Sequence, residues 1–295
     1  MGYLVLFLGL ICCAAKGYCG KRQSAFVTDT RDAMLINLIR MGCCTVFGLL
    51  VVLLTEGAGA LIIGGAGLPV VLLSGISNAV VVVTWLLAVR GCAYMLLDVF
   101  ATASVIVPMV VCLFLYGEQI RPIQWFGFAL LITAVTVMCS YSAGIKGRKL
   151  SAADLAVLLI FTVFSGTTDL SYKLFVNVCP DSSKSVFNLY SFFLAGLLLA
   201  AALPFVKKKK EKAPFRPKKV LPYIVVMAIL LFAVNFSKTY ASSVLPAVQV
   251  FPLFQGGILI LASLVAAIFF GEKLTVKSVV GMVMTLAALV IINLL

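Results

Sequence analysis

Residues 265–295 read VAAIFFGEKLTVKSVVGMVMTLAALVIINLL, and residues 111–141 read VCLFLYGEQIRPIQWFGFALLITAVTVMCSY. Set against each other at an offset of 154, Val111 falls on Val265, Gly117-Glu118 on Gly271-Glu272, Gly127 on Gly281 and Ala134 on Ala288. Each stretch is an apolar helix, a Gly-Glu turn, then a second apolar helix with a glycine nine residues after the Glu. An offset of 157 pairs Phe7 with Phe164, Gly9 with Gly166 and Lys16 with Lys173 further upstream. The chain therefore reads as two copies of one unit.

The solvent of that unit is lipid. Of 295 residues, 63% are apolar and 11% charged, with a mean hydropathy of +1.18, and a helix crosses the hydrocarbon of a bilayer with about 20 mostly apolar residues. Apolar runs predict helices near 2–20, 33–55, 68–89, 93–116, 121–143, 152–176, 183–206, 220–243, 246–270 and 275–295. Residues 55–67, TEGAGALIIGGAG, are apolar but rich in glycine, and are read as a connection. The first run has no basic residue before it and no small-x-small cleavage site after it, so it reads as a retained helix rather than a signal peptide. The expected fold class is an all-α integral membrane protein of about ten transmembrane helices.

Five helices per copy is an odd number, so the second copy enters the membrane the opposite way up. Inverted repeats of this kind build alternating-access carriers, with the site near the midplane between halves. The repeats are expected over 1–146 and 147–295. Lys and Arg in the loops or at the adjoining helix ends number 17 for the connections 1-2, 3-4, 5-6, 7-8 and 9-10, against Arg121 and Lys184 on the other face. The positive-inside bias places those loops in the cytoplasm and both termini outside. The linker KKKKEKAPFRPKK, 207–219, then faces anionic headgroups. A net charge of +13 carried in this way does not point to nucleic acid.

No histidine is present, which excludes Ser-His and Cys-His catalysis and His metal sites. Cys12, Cys13, Cys43, Cys44, Cys92, Cys112 and Cys139 lie in or beside apolar runs without metal-ligand spacing and read as small hydrophobes. Glu118 and Glu272 sit in turns on opposite faces and cannot share a site; each caps the helix that follows. With no Asp-rich cluster and no nucleotide-binding loop, neither an enzyme nor an ATP-driven pump is expected, and no cofactor.

FFGEKLTVKSVVGMVMTLAALVIINLL at 269–295, VPMVVCLFLYGEQI at 107–120 with QWFGFALLITAV at 124–135, and INLIRMGCC at 36–44 with its Arg40 resemble the drug/metabolite transporter superfamily in its ten-helix EamA-type branch. The C-terminal hairpin is also similar to the small multidrug resistance proteins. Lys16 and Lys173 stand where lysines are common in helices one and six of the family. The helix-one glutamate of the four-helix relatives has Leu8 and Ser165 in its place, so export of bulky cations by that carboxylate is not implied. The resemblance implies a secondary transporter of a small organic metabolite, amino-acid-like or otherwise amphipathic, exported or exchanged across a bacterial cytoplasmic membrane. A multidrug, quaternary-cation or lipid-linked solute carrier is the alternative, and a membrane-embedded lipid-modifying enzyme a remote one. A proton or sodium ion as coupling ion, and a monomer or homodimer, are left open.

Six ionisable residues fall within spans: Lys16, Arg40 and Asp98 in the first half, Asp169, Lys173 and Lys238 in the second. A charge at a helix centre costs about 2.5–3.5 kcal/mol on insertion scales unless it pairs, snorkels or lines water. Asp169 and Lys173, four apart on one helix, are in reach of each other. Each trio is expected to tie its helices together as a gate, at opposite depths; snorkelling of the bases to headgroups is the simpler alternative. The resemblance makes helices one, three, four, six, eight and nine the cavity wall. On them Asn78, Trp85, Thr102, Ser165, Asn235, Tyr240 and Gln255 are the candidate substrate contacts, with Asn78 and Asn235 on equivalent helices.

Overall fold

The computed structural model describes residues 2–27, 29–92, 94–116, 122–146, 150–206, 217–245, 247–271 and 275–294. The Gly117-Glu118 turn, Arg121, Glu272 and most of the basic linker lie outside them, as do the side chains of Lys146, Lys218, Lys219 and Cys112. In chain order the helices are α1 Gly2–Ser24, α2 Thr30–Thr55, α3 Leu68–Gly91, α4 Tyr94–Ala103, α5 Ile106–Tyr116, α6 Pro122–Lys146, α7 Ala152–Val178, α8 Lys184–Ala202, α9 Pro217–Val244, α10 Ala247–Phe270 and α11 Val276–Leu294.

Capping side chains start several of them. Asp29 accepts from the Asp32 N–H before α2, Ser151 and Asp154 form a reciprocal capping box at α7, and Ser183 accepts from the Val186 N–H before α8. Each satisfies N–H groups that have no partner in the first turn. Beyond the caps the stretches are apolar, and in hydrocarbon only the helix satisfies such a backbone internally. Among the described residues, eight helices are long and apolar enough to cross a bilayer, and Tyr94–Pro108 and Val276–Ile291 are shorter apolar segments. Large side chains stay outside the packed interior on many of them, Leu54, Phe126 and Phe269 among them. Such an apolar exterior suits lipid, not water.

Two local features depart from a row of plain helices. The helix expected over 93–116 is α4 and α5, parted at Ser104 and Val105. Pro108 lacks an N–H and its ring crowds the carbonyl four residues back, at Ser104. The N–H groups of Ser104 and Val105 turn to the carbonyls three back, Ala101 and Thr102, both at 3.2 Å. A Cβ at Gly166 of α7 would lie 2.3 Å from the Ser104 carbonyl oxygen, so that glycine lets α7 reach the break. The glycine-rich connection at 55–67 forms two short 3-10 turns, Ala58–Leu61 and Gly65–Gly67.

Packing follows one rule. The pair α1 with α9 has a counterpart in α7 with α3, α1 with α10 in α7 with α4 and α5, α2 with α9 in α8 with α3, and α4 with α6 in α10 with α11. The pairs α2 with α8, α4 with α10 and α6 with α11 are their own counterparts. Exchange of the first five spans for the last five therefore maps these pairs onto one another.

A central cavity walled by six spans

A cavity of about 120 Å³ lies among α1, α3, α4, α7, α9 and α10, the six helices named from the family resemblance, with Arg40 reaching in from α2. Of the thirteen candidate residues, ten line it: Lys16, Arg40, Asn78, Trp85, Asp98, Ser165, Asp169, Asn235, Lys238 and Gln255. Thr102, Lys173 and Tyr240 do not.

At one end, Lys238 of α9 donates to Asp169 of α7 at 2.8 Å, and Gln255 of α10 donates from Nε2 to the other carboxylate oxygen at 3.2 Å. Lys238 Nζ also stands 4.6 Å from the ring centre of Phe254, a cation-π contact. One carboxylate thus ties three helices. The pairing of Asp169 with Lys173 suggested by their spacing is replaced by this one: Lys173 is half-buried, away from the cavity wall.

The other end is aromatic. Trp85 of α3 and Tyr94 of α4 meet edge to face at 6.5 Å, and Lys21 lies 5.7 Å from the Tyr94 ring. Both rings press on α1 where it has no side chain. A Cβ at Gly17 would come within 2.0 Å of the Tyr94 hydroxyl, and one at Gly20 within 2.2 Å of the Trp85 indole and 3.1 Å of Met227. Met227 and Lys238, at the two ends, are eleven residues apart on α9, roughly 16 Å at 1.5 Å per residue.

Beside the aromatic end, Arg40 is buried and donates from Nη2 to Gln23 Oε1. Snorkelling therefore does not describe it. Lys16 and Asp98 line the same part of the wall, and Asp98 is engaged in contacts of its own. Between the ends, Asn78 donates back to Ser74 of its own helix, while the Asn235 Nδ2 is buried without an acceptor among the described residues.

Thr102 and Tyr240 have other settings. The Thr102 hydroxyl donates to the Asp98 carbonyl at 2.8 Å, a back-bond within α4. Tyr240 lines a separate surface cleft with Glu56 and Lys184, and stacks near Phe236. Sequence reading missed Tyr94, Phe161, Tyr172 and Gln23. The spacing of Tyr94 four before Asp98 placed it on the same face of the helix, whereas Gln23 lay beyond the expected end of helix one.

Residues 152–294 match the EamA-like transporter family. A solved structure described only as the crystal structure of a protein superposes with a TM-score of 0.66 over 99% of this chain and 96% of its own. Their identity is 12%, so the likeness is one of fold. No functionally curated protein matches the sequence. Residues 152–294 are thus an EamA-like domain, and that family consists of integral membrane transporters of the drug/metabolite transporter superfamily, not of enzymes.

Proposed function

We propose that the chain is a secondary transporter that carries a small organic metabolite, amino-acid-like or otherwise amphipathic, by alternating access, as an exporter or exchanger. Two inverted repeats, 1–146 and 147–295, are the moving halves, and the symmetric exchange of helix pairs supports that division. The observation that carries the reading is the cavity between the halves, with an ion pair at one end and aromatic rings at the other. A site with a different device at each end can open one end at a time.

The charge bias of the loops turns the Trp85 end to the cytoplasm and the Lys238 end outward. Lys238, Asp169 and Gln255 act as the outer gate, taking the place expected for the Asp169, Lys173 and Lys238 trio. Lys16, Arg40 and Asp98 form the polar wall of the inner end. The cavity holds three bases and two acids, which disfavours the alternative of a quaternary-cation carrier. A proton or sodium ion supplies the coupling, and the working unit is a monomer or homodimer in the bilayer.

Proteoliposomes preloaded with unlabelled amino acids, organic acids, nucleosides or quaternary ammonium compounds, and challenged with the labelled form outside, test the reading. Counterflow of at least one metabolite, lost in Asp169→Asn, is the expected result. Counterflow of quaternary ammonium alone overturns the substrate class; none for any solute overturns transport.

A further inference from the structure

We propose that the Trp85 end of the cavity is a seat for one anionic group of the transported solute, a carboxylate or a phosphate, held by Arg40 and Lys16 with Gln23 behind them. The inference rests on the transport reading and deepens it.

The two ends of the cavity treat their cations differently. Lys238 has a carboxylate at 2.8 Å. Arg40, 2% exposed, has the neutral amide oxygen of Gln23 instead, and its Nε finds no acceptor among the described residues. The Nε2 of Gln23, wholly buried, is likewise unmatched. Lys16 lines the same cavity, and neither it nor Arg40 has a carboxylate within ion-pair distance among the described residues. Asp98 shares this wall, so two cations stand against one carboxylate that has contacts of its own.

Of the buried polar atoms at this end without a hydrogen bond, Arg40 Nε and Gln23 Nε2 are N–H donors, beside one acceptor, Asp98 Oδ2. A buried guanidinium without a counter-charge is costly, and the cost is relieved by an acceptor that carries negative charge. Carboxylate and phosphate fit the planar fork of an arginine with two parallel hydrogen bonds. The Arg40 Nη2 is taken by Gln23, while Nε has no acceptor among the described residues, on a side chain that lines the cavity. Trp85 and Tyr94 supply apolar wall for the rest of the solute. A lipid phosphate is a poor occupant because Arg40 is only 2% exposed.

The full chain in nanodiscs is titrated with lactate, inorganic phosphate, glycerol and ethanolamine at matched ionic strength, with thermal unfolding as the readout, in wild type, Arg40→Gln and Lys16→Gln. The expected result is a saturable rise in Tm with lactate or phosphate and none with glycerol or ethanolamine. Response to one anion and not the other names the group. Arg40→Gln unfolds no lower than wild type without ligand and binds the anion about 10- to 100-fold more weakly, the range for a lost charged hydrogen bond. Should Arg40→Gln fail to fold, the same loss of affinity in Lys16→Gln supports the seat. No anion response in wild type, or an equal response in both variants, overturns it. Proteoliposome flux separates the two readings: counterflow of glycerol or ethanolamine without any anion response removes the seat and leaves the transporter. Anion binding without flux of any solute does the reverse.

Discussion

Lys238 on α9 and Asp169 on α7 form an ion pair of 2.8 Å with side-chain exposures of 11% and 2%, and Gln255 on α10 closes the second carboxylate oxygen. Three helices from the second half meet at one acid. Removing one partner leaves the other charge buried and unmatched, which costs about 3 kcal/mol, whereas apolar replacement of both is often neutral. Asp169→Leu is therefore expected to lower thermal stability sharply, and Asp169→Leu with Lys238→Leu to recover most of the loss. Transport is lost in both, because the recovered contact no longer breaks and reforms. Thermal unfolding and counterflow on the same preparations check the two halves of the statement.

Gly166 predicts a second result of unusual sign. Alanine is a better helix former than glycine by about 1 kcal/mol. Yet a Cβ at 166 would lie 2.3 Å from the Ser104 carbonyl oxygen and 2.5 Å from Val107 Cβ, both too close for any carbon. Gly166→Ala is expected to lower stability by about 1–3 kcal/mol, the range for overpacking, with Gly42→Ala, which meets nothing within 4 Å, as the neutral comparison. Thermal unfolding in detergent reads both.

What the sequence made legible follows from period and solvent. Hydrocarbon permits one kind of backbone in these stretches, so apolar runs fixed the ten segments and their ends to within a few residues. The break at Ser104 was less visible, since a proline in a membrane helix bends or parts it depending on what packs alongside, here Gly166. Spacing set Lys173 beside Asp169, but four residues turn a helix by roughly 40° past a full circle. That rotation leaves Asp169 on the α9 side and Lys173 off the cavity wall. Which base meets an acid is decided between helices, and a single sequence does not contain the rotation of one helix against another. Thr102 and Tyr240 lie off the cavity wall: one back-bonds within its own helix and the other lines a surface cleft.

Topology is checked by single cysteines. Ser182 lies in the turn before α8 and Ser151 at the cap of α7, on opposite sides of one span. In a cysteine-free background, Ser182→Cys is expected to react in whole cells with a membrane-impermeant maleimide and Ser151→Cys only after permeabilisation. The reverse pattern would put the basic loops outside and invert the two gates.

Trp85 offers a direct view of the aromatic end. The chain has two tryptophans, and Trp125 is 61% exposed on the lipid-facing side of α6. Trp125→Phe therefore leaves an indole whose surroundings are Tyr94, Gly20 and the cavity. Solute entering the cavity contacts that ring, and its emission is expected to shift and saturate with the same concentration dependence as counterflow. Gly20→Val supplies the mechanical control. Its side chain occupies the place of the indole, since a Cβ alone would lie 2.2 Å from it, so Trp85 must swing away, and its emission then moves to longer wavelength without solute. If the ring bars the inner end, Gly20→Val also abolishes exchange while retaining solute binding; unchanged exchange with a displaced indole would make Trp85 a wall and not a gate.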